Sequence, residues 1–356
     1  MAIPYWTVTV ASPSATISDV QTVTVSKGLR VLTDNYSSGR ITITGRRPDL
    51  LPSLTIGRLV TCVLTNPNSS PASTASYNGR VADLQINYGT VPSMDTWTLE
   101  LEDAFAVLGR SKITRTWGAG TSTKVVFEDI CTDTGLTYNS VVSIANKTIS
   151  ATTVTAEPAL AVMQSNLNTE QGLLYASGNA ITMYTRGWQQ YTTFYNYSDA
   201  GGATTRYQQV QFLSMADNYS TYVLITINGA SATVIGTGLY SYQEDTYALN
   251  TAAATDIGNY VLGGLSVQTN TPNRMTVLLN DETSNRVMNN LNDGNTGVNI
   301  TLRGQTYSAN VIGYTISSDT QRTLVTFNLA GTSYYNFLIL GNTAGYGTLD
   351  YNRLGF

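Results

Sequence analysis

The chain has 356 residues, of which 12% are charged, with a net charge of −4 and no histidine. That length holds roughly two or three domains, and the surface must be built largely from Thr, Ser, Asn, Gln and Tyr, a neutral skin suited to broad protein contacts. Without His the commonest general base and metal ligand is gone, and without a basic run there is no footprint of sequence-specific nucleic-acid binding.

In chain order, Trp6–Val10 and Val20–Val25 are alternating runs that predict two strands, separated by the turn-forming residues 11–19. The stretch from Gly39 to Asp103 then reads as five parts. They are a short strand on Ile41 and Ile43, a compact turn at Leu50, Leu51 and Leu54, a strand from Leu59 to Leu64 opened by Gly57, and strands over Gly79–Ile86 and Thr96–Leu101. Asn66–Ser76, rich in turn residues, is expected to be an exposed hairpin tip. Asp103 and Gly109 are placed to cap a short helix at its two ends. Residues 1–109 are therefore expected to form a first small β-barrel.

Residues 110–200 change character and predict an α/β insert. Ser122 or Thr123 can cap a helix that buries Val126, Phe127, Ile130 and Cys131 and stops at Gly135. A second helix starts near Pro158 and presents Leu160, Met163 and Leu167. Leu173–Tyr175 and Ile181–Tyr184, around Ser177-Gly178-Asn179, predict a hairpin. Residues 201–335 return to strands, with Tyr222–Ile227, the turn Asn228-Gly229 and Ala232–Ile235 as the clearest hairpin signal. Thr251–Leu262 is a short helical insertion, expected to close at Gly263-Gly264. The Gly-rich residues 336–356 read as an extended C-terminal arm, whose Leu349, Tyr351, Leu354 and Phe356 are spaced to lie against another surface. Cys62 and Cys131 both read as small buried hydrophobes.

The five-part stretch recurs. Asn273-Arg274-Met275-Thr276-Val277 echoes Gly39-Arg40-Ile41-Thr42-Ile43, and Val287–Leu291 stands in for the Leu50–Leu54 turn. Gly297–Ile300 echoes Gly57–Val60, and Ser308–Ile316 and Arg322–Leu329 close the second copy. Five echoes in the same order point to a duplicated β unit. The first ten residues have neither the basic nor the apolar region of a signal peptide, and no apolar run approaches the ~18 residues of a membrane-spanning helix. The expectation is a chain made in the cytoplasm with no integral membrane segment.

Four passages carry a resemblance: GRVADLQINYG with TWTLELEDAFAVLGR, the helix FEDICTDTGLTY, the helix-hairpin LNTEQGLLYASGNAITMYTR, and the terminal TLDYNRLGF. In that order they resemble a tail hub, or minor tail protein, of a long-tailed bacteriophage. The resemblance implies a mainly β fold of two similar small barrels with a helix-containing insert between them. It also implies a structural role at the tail tip of the virion, after assembly in the host cytoplasm. There a homotrimer closes the tail tube and meets distal tail proteins, tail fibres or receptor-binding proteins, and the tape measure protein.

No catalytic, cofactor or metal site is expected. Glu100 and Glu102 alternate with Leu99 and Leu101, which places them on the solvated face of a strand, and Glu128-Asp129 lie on the polar side of a helix. Hydrolysis by paired carboxylates is thus disfavoured. Gly118-Ala119-Gly120 and Gly341–Gly347 lack the Lys and Ser/Thr of a phosphate loop. Trp188, Tyr191, Tyr195 and Tyr197 form an aromatic group fit either for glycan stacking or for core packing and subunit contact. A carbohydrate-binding adhesin of the virion is accordingly the alternative. An outer-membrane β-barrel would share the Tyr/Thr-rich strands but not the helices at 123–134 and 158–168.

Overall fold

The computed structural model describes residues 2–11, 14–30, 34–141, 147–185, 193–200, 205–212, 220–265, 272–281, 283–292 and 296–331. The first unit contains β1 (Tyr5–Val10), β2 (Ala15–Ile17), β3 (Val20–Gly28), β4 (Arg40–Arg46), β5 (Leu59–Asn66), β6 (Ser73–Asn87) and β7 (Thr96–Glu102). Helix α1 (Ala104–Arg110) ends it. The insert follows as β8 (Lys112–Trp117), α2 (Thr123–Thr134), β9 (Thr137–Val141), β10 (Thr152–Pro158), α3 (Ala159–Glu170), β11 (Leu173–Ser177) and β12 (Ala180–Tyr184). The second unit opens with β13 (Thr193–Ser198), β14 (Thr205–Arg206) and β15 (Gln209–Gln211). It is interrupted by a lobe of β16 (Tyr222–Ile227), β17 (Ala230–Gly236), β18 (Ser241–Thr246) and α4 (Thr251–Leu265). It then resumes with β19 (Arg274–Leu278), α5 (Arg286–Asn292), β20 (Thr296–Leu302), β21 (Gln305–Ser318) and β22 (Thr323–Gly331).

The two units have one topology. Hydrogen bonding runs β3-β4-β7-β6-β5-β1-β2 in the first and β15-β19-β22-β21-β20-β13-β14 in the second. The pairs β4–β7, β7–β6 and β6–β5 are antiparallel, as are β19–β22, β22–β21 and β21–β20. The copies diverge at one end, where β1 is antiparallel to β5 but β13 is parallel to β20. Strand β13, inside the span expected for the insert, is thereby hydrogen-bonded to the second unit.

Each long strand carries a bulge at the same place, between Val81 and Asp83 in β6 and between Val311 and Gly313 in β21. Aligning the bulges sets Val60, opposite Gly79, on Val298, opposite Ala309. It sets Leu99 on Phe327, and so Ile43 on Met275. The echo read from the sequence, with Val60 on Ile300 and Ile41 on Met275, is therefore two residues out of register. A slip of two returns every side chain to the same face, so the alternation of apolar residues cannot detect it.

Strand β3 joins the units by pairing with β4 on one side and β21 on the other, from Val23 opposite Ser318 to Gly28 opposite Gly313. Fourteen strands thus make one sheet. Among the described residues the ladders follow open paths, and the interior is closed by side chains. Val8, Val25, Ile43, Cys62, Trp97 and Leu99 share one core with Tyr197, Met275, Val298, Ile316 and Phe327. The insert has its own core, where Val126, Phe127, Ile130 and Cys131 of α2 meet Met163 and Leu167 of α3. Ser122 caps α2, accepting from Val125 N, and Gly135 stops it at φ 70°. A third core packs Ile257 and Val261 of α4 on Val223 and Ile225 of β16. No described helix is long and apolar enough to cross a membrane.

Several local expectations are corrected. Residues 11–19 contain the short strand β2, which pairs with β1. Asn66–Ser76 holds the expected hairpin tip, exposed at Ser70, Pro71 and Ala72, but the ladder takes Asn66 and Ser73–Ser76, and Asn66 and Ser69 are buried, with the Ser69 hydroxyl donating to Asn66 O (3.1 Å). The Asn68 amide donates to Asn280 O (3.1 Å), tying this hairpin to the second unit. Helix α1 passes Gly109 to Arg110 and ends at Ser111, because the chain turns directly into extended β8 without a left-handed residue. Helix α4 runs through Gly263-Gly264 to Leu265, whose burial in the third core holds the last turn. In the Leu50–Leu54 turn, Leu50 is exposed while Leu51 and Leu54 pack on the core.

Candidate functional site

The sequence singled out an arm and an aromatic group. Leu349, Tyr351, Leu354 and Phe356 lie outside the described residues, as do Trp188 and Tyr191. Tyr195 is half-buried against the main core. Tyr197 is fully enclosed, with its hydroxyl donating to Asn290 Oδ1 (2.6 Å) and its ring 6.5 Å from that of Phe327. It is a core residue and presents no face to a glycan, because the C-terminal end of β13, Tyr197 and Ser198, is buried.

The carboxylates are spread and engaged. Glu100 faces Arg40 at 3.6 Å, and Glu102 pairs with Arg110. Asp129 and Asp133 share the fork of Arg115, each at 2.8 Å, and Asp129 also accepts from Trp117 Nε1 (2.9 Å). Asp103 caps α1 through Phe105 N (3.0 Å) and also accepts from Gly39 N (2.9 Å). Among the described residues no group of three or more acidic or Cys side chains is arranged to hold a metal. Burial pushes both thiols, Cys62 and Cys131, up to about 12, which keeps them as inert hydrophobes.

Three features that the sequence did not reveal are the two-glycine seam, an internal cavity and a surface cleft. At the seam a Cβ on Gly28 would stand 2.4 Å from Ile312 O, and one on Gly313 would stand 2.4 Å from Leu29 O. Both positions need glycine for the units to approach. Beside it lies a cavity of about 240 Å³ where the insert meets both units, lined by Lys27, Asp103, Tyr175, Tyr184, Asn290 and Tyr314 among others. Lys27 Nζ donates to Ala176 O (3.1 Å) and sits 5.3 Å from the Tyr77 ring centroid. Burial lowers the Lys27 amine and raises Asp103 to about 6, while their opposite charges partly restore each.

The cleft, of about 770 Å³, lies between α3, the 34–36 segment and β18. Glu244 at its base is buried, which raises its carboxyl to about 8 against the opposing bond from Gln171. Elsewhere the surface exposes apolar tips, with Tyr88, Val91 and Met94 at the β6–β7 turn and Val234, Leu239 and Tyr240 on the third lobe. Exposed apolar side chains gathered at tips suit contact with other proteins.

No protein-family model and no curated protein matches the sequence. The fold does match solved structures. One is a tail protein from Neisseria meningitidis MC58, with a TM-score of 0.69 at 10% identity over 94% of this chain and 98% of that one. Another is the 43 kDa tail protein of prophage MuSo2 from Shewanella oneidensis, with a TM-score of 0.65 at 11% identity over 93% of this chain and 99% of that one. A third is an E. coli protein described as a component of the type VI secretion system with structural similarity to the T4 bacteriophage tail proteins gp27 and gp5. Its TM-score is 0.56 at 12% identity, over 90% of this chain and 75% of that one. The mainly β fold of the chain is thus a phage-tail fold of the hub type, shared along nearly the whole length.

Proposed function

We propose that the chain is a structural component of a phage-type tail, sited at the distal end, where it caps the tube and seats fibres or receptor-binding proteins. The observation that carries this reading is the duplicated seven-strand path, joined through β3 and β21, in a chain that matches tail proteins along almost their full length. Two like units per copy suit a ring of three, in which six units meet a sixfold tube, and closure leaves no strand edge to recruit further copies. Its neighbours are then the tube, distal tail proteins and the tape measure protein, and its place is the virion tail tip. We keep the division at residues 109, 200 and 335, with β13 lent to the second unit, and assign the terminal arm to a neighbouring copy or tail protein. The role involves no catalysis; the engagement of Glu100, Glu102, Asp129 and Asp133 by arginines supports that.

A second reading, a spike-like part of a contractile secretion machine, is favoured by the likeness to the E. coli type VI component. Antibody raised on the purified chain and imaged on intact particles separates the cases. Label at the distal end of phage tails is expected, and label confined to heads or absent from particles overturns the tail role.

A further inference from the structure

The cleft beside α3 has a chemistry of its own. Its volume, about 770 Å³, falls within the range of ligand-binding clefts. One wall carries the side-chain amides of Gln164 and Asn168, which are held in fixed orientations. Gln164 Oε1 accepts from Tyr36 N (3.3 Å), Gln164 Nε2 donates to Asn168 Oδ1 (2.8 Å), and Asn168 Nδ2 donates to Asp245 O (3.0 Å). These bonds use one N–H of each amide and leave the second for a ligand. Gln171 Nε2 is aimed at the Glu244 carboxyl (3.1 and 3.2 Å) at the base. Apolar area comes from the half-buried Leu160 and Tyr242, with the buried Leu29 and Leu173 beneath.

Three classes of ligand fit poorly. No Lys or Arg lines the cleft, and the carboxylates of Asp34 and Asp245 do, so phosphates and other anions meet a repelling field. Arg30, outside that lining, pairs with Asp34 (3.4 Å). A peptide strand finds the Asp245–Tyr247 end of β18 taken, since Asn168 bonds Asp245 O and Thr169 Oγ1 accepts from Tyr247 N (2.9 Å). An apolar ligand would leave the oriented amides unpaired. What remains is a ligand whose every edge both donates and accepts and whose faces are C–H.

We propose that the cleft between α3 and β18 binds a neutral oligosaccharide, with Gln164 and Asn168 reading adjacent hydroxyls and the half-buried Tyr242 and Leu160 receiving the ring faces. Vicinal hydroxyls match the paired donor and acceptor of an oriented amide, and sugar C–H faces match an aromatic or aliphatic floor. Tyr195 and Tyr197 are not among its lining residues, and its existence does not depend on the tail role.

The test uses the full chain with neutral tetrasaccharides (cellotetraose, maltotetraose and the tetramer of N-acetylglucosamine) and, as a competing class, tetralysine. Binding is followed by saturation-transfer NMR and calorimetry in low and high salt. Ala161 is an exposed residue of α3 that lines the cleft, so Ala161→Trp fills the space without breaking a recorded bond. Gln243→Ala removes an exposed rim amide. Both variants are checked for an unchanged thermal midpoint. The expected result is binding of at least one tetrasaccharide, insensitive to salt, and weakened tenfold or more by Ala161→Trp. Binding of tetralysine alone, lost in salt, overturns the proposal. So does the absence of tetrasaccharide binding at millimolar concentration, or sugar binding that neither variant changes.

Discussion

Replacing Gly28 with alanine tests the seam between the two units. Gly28 has φ +77° and an added Cβ would stand 2.4 Å from Ile312 O and 2.6 Å from Gly313 Cα. Both neighbours are backbone of β21, fixed by its ladders to β22 and β3, and Leu29 N donates to that same Ile312 O (2.9 Å). The left-handed backbone alone costs a non-glycine residue about 1–2 kcal/mol. Crowding that moves backbone adds about 1–3 kcal/mol, so Gly28→Ala is expected to lose about 2–5 kcal/mol. Gly57 supplies the control, because it has φ +83° but nothing within 4 Å of its added Cβ; Gly57→Ala should lose only about 1–2 kcal/mol. Gly313→Ala carries the crowding without a positive φ, with its Cβ 2.4 Å from Leu29 O, and should fall between them. Urea unfolding of the three variants gives the differences directly. Equal losses at Gly28 and Gly57, or a neutral Gly313→Ala, would refute the close approach of the units.

Glu244→Gln should flatten the dependence of stability on pH. The folded carboxyl is raised from 4.5 to about 8, so its contribution is complete below pH 4.5 and is lost as pH climbs through about 8. Between pH 4.5 and about 8 the wild type should lose a few kcal/mol more than the Gln variant in denaturant titrations, since the Asp103 contribution is common to both; parallel slopes would count against the burial of Glu244. Tyr197→Phe strands the buried Asn290 Oδ1 and should cost about 1–3 kcal/mol by the same assay, with no change in tetrasaccharide binding. Deleting residues 345–356 should leave the unfolding midpoint unchanged but abolish assembly in light scattering; normal assembly would remove the arm from the account.

Much of the architecture was legible because strands announce themselves by alternation. Ile41 and Ile43, Val60, Cys62 and Leu64, and Leu99 and Leu101 each mark a buried face, and the second unit repeats the marks in order. The two-residue error in register arose because the signal has period two, whereas the true alignment is fixed by the bulges at Val81 and Val311, which no local pattern reveals. The short strand β15 owes its pairing to the distant β19 and leaves little trace in sequence. The seam was hidden for a related reason: Gly28 and Gly313 lie 285 positions apart, the first at a strand end and the second within a strand, and neither alone points to the other. The role of Tyr197 stayed open between core and surface because the aromatic-rich run YTTFYNY, residues 191–197, suits packing and stacking equally. The cleft was invisible because its walls come from the 34–36 segment, α3 and β18, brought together only by the fold.

The central claim is that the two like units of each copy continue into a closed ring. Cryo-electron microscopy of the purified full chain tests it most directly. A three-copy ring is expected, in which six units alternate around the axis, first beside second, with the insert and the lobe of β16–β18 and α4 outside the unit ring. A protein that stays monomeric at high micromolar concentration, alone and when mixed with tail-tube protein, would contradict it, as would a closed assembly in which the two units do not occupy equivalent positions around the axis.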